Sequence, residues 1–201
     1  MELIIVIAIM AILVAVLAPQ FLKYVKRARI AADISNADEL AKSFTVMMTD
    51  EDYIDFQGYV NYNASEAKRL GNSHYYRVIT FANDTRAEDY YHSAHNGFQI
   101  TNVAAGYCGS DNTKYENLKS AIRHATEEVL GTSSVKVNLY KQGVAEEWIV
   151  CVDKDGKFYV FVGSNENKEK FALGDNKKEN YGSGRQCYML YPEVDDAYNN
   201  L

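Results

Sequence analysis

The sequence predicts an α+β fold. A long N-terminal helical spine, apolar in its first half and amphipathic in its second, packs on an antiparallel β-sheet, with a second short helix and a C-terminal loop region. Three observations carry this reading: the uncharged apolar run from Leu3 to Ala18, the helical spacing of apolar residues that continues to Met48, and the short aromatic and β-branched runs set between turn residues further along. They divide the chain into residues 1–22, a hydrophobic membrane-length helix; 23–49, the amphipathic half of the same spine; and 50–201, a globular head.

The apolar run holds sixteen residues between Glu2 and Lys23. A bilayer span needs about 20, a length reached once Met1 and the Phe21-Leu22 pair are counted. The basic start and small-residue cleavage site of a signal peptide are missing. A plain membrane anchor explains the run equally well until its continuation is considered. Beyond Pro19, apolar residues recur at Phe21, Val25, Ala28, Ala32, Leu40, Phe44 and Met47 or Met48. Lys23, Lys26, Arg27, Arg29, Asp33, Asp38, Glu39 and Lys42 form the polar complement. One continuous helix of about 70 Å, apolar all round and then amphipathic, fits the pattern.

In the head, residues 49–102 read as a long connection with local strand and helix pieces, in which Tyr76 to Phe81, built on Val78, Ile79 and Phe81, stands out as a strand. Asn112 to Leu130 reads as a helix with Leu118, Ile122, Ala125 and Val129 on one face, capped by an Asn or Thr and ended by Gly131. Strands are expected at Val135 to Tyr140, at Glu147 to Val152, and at Phe158 to Gly163, the last two joined through Asp153-Lys154-Asp155-Gly156. Residues 164–185 read as an exposed polar loop, and Gln186 to Tyr191 as a final strand.

The stretch MELIIVIAIMAILVAVLAPQF, Met1 to Phe21, resembles the N-terminus of mature bacterial type IV pilins, in which a glutamate precedes a long apolar run and Pro-Gln-Phe. Glu2 and Pro19 stand at the matching spacing. The family glutamate is fifth in the processed chain, so the resemblance implies about three further residues before Met1. It also implies a structural subunit and not an enzyme, without cofactors. Such a subunit is anchored in the cytoplasmic membrane before assembly, processed by a prepilin peptidase that leaves an N-methylated terminus, and polymerised with copies of itself into a helical surface filament by the pilus machinery. Assembly would then run through Glu2, Leu3, Ile7, Ile9, Leu13, Pro19, Phe21, Lys23, Lys26 and Arg27, with Glu2 meeting the terminal amine of a neighbouring subunit. The spine is expected to unwind near Pro19 inside the filament. Two other readings remain open: a pseudopilin or minor pilin of a secretion or competence system, and a monomeric membrane-anchored binding protein.

Other chemistry is thinner. A carboxylate beside hydrocarbon needs a cation, which is why Glu2 stands out independently of the resemblance. The basic collar Lys23, Lys26, Arg27 and Arg29 suits either lipid headgroups or pairing between subunits with Asp33, Asp38 and Glu39. The net charge of -6 gives nucleic acid no electrostatic footprint. Cys108, Cys151 and Cys187 are too far apart for a metal knuckle, and the expected arrangement is a Cys151–Cys187 disulfide with Cys108 as a thiol. His92 and His95 lack further ligands. Asp50, Asp52 and Asp55 imitate part of a calcium loop without its glycine and closing glutamate. No metal site is expected.

Overall fold

The structure is a computed structural model that describes residues 2–66, 75–82, 98–100, 107–108, 111–132, 135–139, 145, 147–153, 155–163 and 187–201. Its α+β architecture is a spine laid across a sheet. Helix α1 spans Glu2–Thr49, a 3-10 turn Glu51–Tyr53, and α2 Ile54–Glu66; strands β1 Tyr75–Ala82 and β2 Phe98–Ile100 follow. Then come α3 Asn112–Leu130, β3 Glu147–Asp153, β4 Phe158–Gly163, β5 Tyr188–Tyr191 and the short α4 Asp196–Asn199. The sheet is antiparallel in the order β2-β1-β3-β4-β5.

Packing follows from periodicity on both sides of the core. On α1 the buried residues Ile30, Asp33, Ala37, Leu40, Phe44 and Met47 are spaced alternately by three and four, so that they form one stripe, with Ala41 and Ser43 buried beside it. On β3 and β4 the alternate residues Trp148, Val150, Val152, Phe158, Val160 and Val162 face that stripe in one core. Phe44, Phe56 and Phe158 join α1, α2 and β4, with centroids 5.5, 5.6 and 6.4 Å apart. Ile149, Cys151 and Phe161, of opposite parity, form a second cluster on the other face.

Local chemistry sets the element ends. Gln57 on α2 donates from Nε2 to the carbonyls of Met47 and Asp50, satisfying orphan acceptors where the spine stops. Asp111 caps α3 by accepting from the Lys114 amide, and Gly131 ends it at φ +68°. In the β3–β4 turn the Asp153 carboxylate accepts from the amides of Asp155 and Lys157 and from the Tyr159 hydroxyl, with Gly156 at φ +80°.

Several sequence expectations need correction. Residues 54–66 form α2 and 98–100 form β2 inside the connection, where helix and strand pieces were expected without bounds, and α4 was not foreseen. Phe21 and Ala28 are exposed and Val25 and Ala32 only half-buried, so the packed stripe starts at Ile30. Val129 is likewise exposed. The strand expected at Val135 to Tyr140 does not form over the described residues 135–139: Val135 and Val137 are buried, but Asn138 and Leu139 turn. Tyr140, the loop 164–185 and Gln186 lie outside the described residues.

The cause of that turn is Asp33. It was assigned to the polar face, yet it is fully buried. One carboxylate oxygen accepts from the Asn138 amide at 2.7 Å and its side-chain amide at 3.0 Å; the other accepts from the Leu139 amide at 2.8 Å and the Tyr198 hydroxyl at 2.7 Å. Four donors replace the water that a buried carboxylate gives up.

Removing the carboxylate in Asp33→Ala strands three or four donors in the interior, and we expect a loss of about 4 kcal/mol, measured by urea unfolding of the full chain in detergent. An unchanged midpoint would rule out a structural role. Burial first, and the Asp33 carboxylate second, push the Tyr198 hydroxyl far above its ordinary pKa of 10.0. The folded state therefore holds that proton more tightly than the unfolded chain: the stability is intact below pH 10 and is lost as pH rises beyond it. Tyr198→Phe should make the alkaline decline shallower by up to about 1.4 kcal/mol per pH unit. An identical alkaline slope in the variant would contradict this.

Candidate assembly surface

The feature that most distinguishes this chain is a rod of apolar side chains that its own head does not cover. Every large apolar residue from Leu3 to Leu22 keeps between 53% and 77% of its surface exposed. Leu3, Ile7, Ile9, Leu13 and Phe21 are among them, and Pro19 is exposed too. A cylinder 20 residues long and about 10 Å wide presents on the order of 900 Å², against the few hundred that a soluble monomer usually shows. The helix is long and apolar enough to cross a membrane.

Pro19 sits inside α1 without ending it. Glu2 belongs to the first turn of the helix, and its side chain lies outside the described residues. Past the apolar rod, Lys23, Arg27 and Arg29 are exposed and Lys26 half-buried. No described salt bridge involves any of these four; the described pairs are Lys42–Asp38 and Lys119–Glu116. The structure thus removes two of the three acids offered as partners for the collar: Asp33 is buried in its own network, and Asp38 pairs with Lys42 on the same helix.

Rigidity comes from how the second half of the spine is held. Asp33 ties it to the segment after α3 and to the C-terminal helix, and Gln57 ties its end to α2. Tyr53, after the spine, places its hydroxyl 3.2 Å from Nδ1 of His124 on α3. Tyr107 packs edge-on to Tyr59 at 6.0 Å, carries the Lys114 ammonium 3.8 Å above its ring, and lies so close to Gly58 that a Cβ there would overlap its hydroxyl. Asp33 was missed from sequence although the signal existed: it occupies one place in the stripe Ile30, Ala37, Leu40, Phe44, Met47.

The three cysteines are thiols in the structure, so the expected Cys151–Cys187 bond is not formed there. Both residues nevertheless belong to the same cluster on the face of the sheet away from the spine, whereas Cys108 is buried in the main core. Burial pushes the Cys108 thiol up, opposed by Lys114. Asp50 accepts from the Asp52 amide and caps the 3-10 turn. Among the described residues no group of three His, Cys, Asp or Glu side chains is placed to hold a metal; His92 and His95 lie outside them.

Comparison of the chain with protein-family models, with curated proteins and with solved structures finds no match. What the fold defines is a class of shape, a compact α+β head on a membrane-length apolar rod.

The cluster gives a prediction. After air oxidation, non-reducing peptide mapping should recover a Cys151–Cys187 peptide, while Cys108 is alkylated only after denaturation. A bridge that includes Cys108 would refute the pairing. The bond would stabilise the head by about 3 to 4 kcal/mol through the loop it closes.

Proposed function

We propose that this chain is a pilin-like structural subunit, held in a membrane by residues 3–22 and polymerised through the same segment into a helical filament of the type IV pilus kind. The exposed apolar rod, continuous with a helix clamped into the head, is the observation behind this reading. Once out of lipid, that surface can be hidden only against similar surface, and copies of the same rod supply it. At about 25 cal/mol per Å², covering on the order of 900 Å² contributes roughly 20 kcal/mol, enough to dominate subunit association. The resemblance of Met1 to Phe21 to type IV pilins supports the same conclusion, with Glu2 setting register against a neighbouring amine. Adhesion, motility and DNA capture are the uses that such filaments serve.

A simple anchor is the competing reading. It needs the apolar run but gives no reason for a helix that continues without a joint into the core of the head. In cells carrying an assembly machinery, Ile9→Asp should abolish filaments while the head remains folded, and Glu2→Ala should reduce incorporation by at least tenfold. Wild-type filament numbers from Ile9→Asp, or a wild-type chain that forms no filaments and stays monomeric in detergent, would favour the anchor. A filament map should show the helix interrupted between Ala11 and Pro19, closer to Pro19. Continuous helical density from Leu3 to Lys23 would refute that break.

A further inference from the structure

Along the spine and the turn that follows it, like charges are grouped by sign. Lys23, Lys26, Arg27 and Arg29 contribute four cations and no acid over seven residues. Just past the far end of the helix, Asp50, Glu51, Asp52 and Asp55 contribute four acids and no cation over six residues. Asp50, Glu51 and Asp52 are exposed and Asp55 half-buried. No described salt bridge reaches either group, and like charges so grouped repel one another.

Between the patches α1 carries one acid without a described ion pair, the half-buried Glu39, and the rest of its exposed side is uncharged or paired. Ala31, Ser35, Thr45 and Val46 face outward, and the exposed cation Lys42 is paired with Asp38. From Lys26 to the acidic turn is about 37 Å along the helix. The apolar rod of residues 3–22 is about 30 Å long. If a parallel second copy is displaced by that 37 Å, its collar lies against the acidic turn of the first. Its apolar rod then lies against the stretch between the patches. Both matches require the same displacement, although one is electrostatic and the other is a match of length and polarity.

We infer that a second copy of this chain docks in parallel on the outward face of the spine, displaced by about 37 Å, with its collar Lys23, Lys26, Arg27 and Arg29 against the first copy's Glu51, Asp52 and Asp55. The occupant is a copy because one molecule carries both complementary patches at a spacing that fits its own rod. This inference rests on the filament reading and fixes the axial register within it.

The test is a charge exchange in the full-length chain with its assembly machinery. Asp50 is left in place because it caps the turn. Lys26→Glu with Arg27→Glu, and separately Glu51→Lys with Asp52→Lys, should each lower the yield of sheared filaments at least tenfold, with membrane-bound subunit unchanged. Combining all four substitutions should restore the yield to within about threefold of wild type, since each patch again meets its opposite. Failure of the combined variant, or wild-type yield from either pair alone, would overturn the register. Loss of membrane-bound subunit in the collar variant that the acidic exchange does not repair would assign the collar to lipid headgroups and overturn it as well. A wild-type chain without filaments would instead remove the filament reading on which the register rests.

Discussion

Asp33 holds the molecule in its working shape. A carboxylate inside a protein is stable only when its lost hydration is replaced, and here the replacements come from two other parts of the chain. Two are backbone amides at Asn138 and Leu139, one is the side-chain amide of Asn138, and one is the hydroxyl of Tyr198 close to the C-terminus. Because the ligands are far apart in sequence, satisfying one charge draws the segment after α3 and the last helix onto the spine together. Apolar packing of Leu40, Phe44 and Met47 supplies adhesion, but it is not directional. The carboxylate adds what packing lacks, a fixed rotation and height of the helix against the head.

That fixation matters because the two halves of α1 occupy different environments. Residues 30–47 meet a protein core along one stripe, while residues 3–22 present apolar surface all round. Without a joint between the halves, the orientation of the head is transmitted along the helix to the collar and the apolar rod. The charge patches gain meaning only on such a rod, since a flexible link would spread their separation over many values and erase the 37 Å spacing inferred above.

How much of this was legible depended on whether the cause was local. Helix α3 was read with its observed ends because its capping and stopping residues lie beside it, although the cap proved to be Asp111 rather than an Asn or Thr. The β3–β4 hairpin was read for the same reason, its turn being built from Asp153 and Gly156. Helix α2 could be expected only as an undelimited helix piece because Gly58, Asn61 and Asn63 look like loop residues. At Gly58 the reason is a tertiary contact, the Tyr107 hydroxyl occupying the space that a side chain would need. The strand expected after Val135 failed for a still more distant cause, since its alternating valines are buried as expected while the next two amides belong to Asp33, 105 and 106 residues away. The apolar rod was fully legible because exposure on a single helix needs no partner to explain it.

Pro19 shows how the environment decides what the first half of the spine does. The ring removes one amide and crowds the carbonyl of Ala15, a cost of roughly 3 kcal/mol in a helix interior. The chain on its own nevertheless keeps the helix through this point. Breaking it exposes several more backbone groups, and in hydrocarbon those have no other partner. Lipid therefore favours tolerating the proline. Inside the bundle of rods proposed above the comparison would change, because neighbouring chains would exclude lipid and could shield an extended backbone. Ala11, where a glycine would favour release by about 1 kcal/mol, works against a long break. In the filament proposed above, the proline that hydrocarbon holds helical would become the weakest point of the rod once neighbouring chains replace lipid.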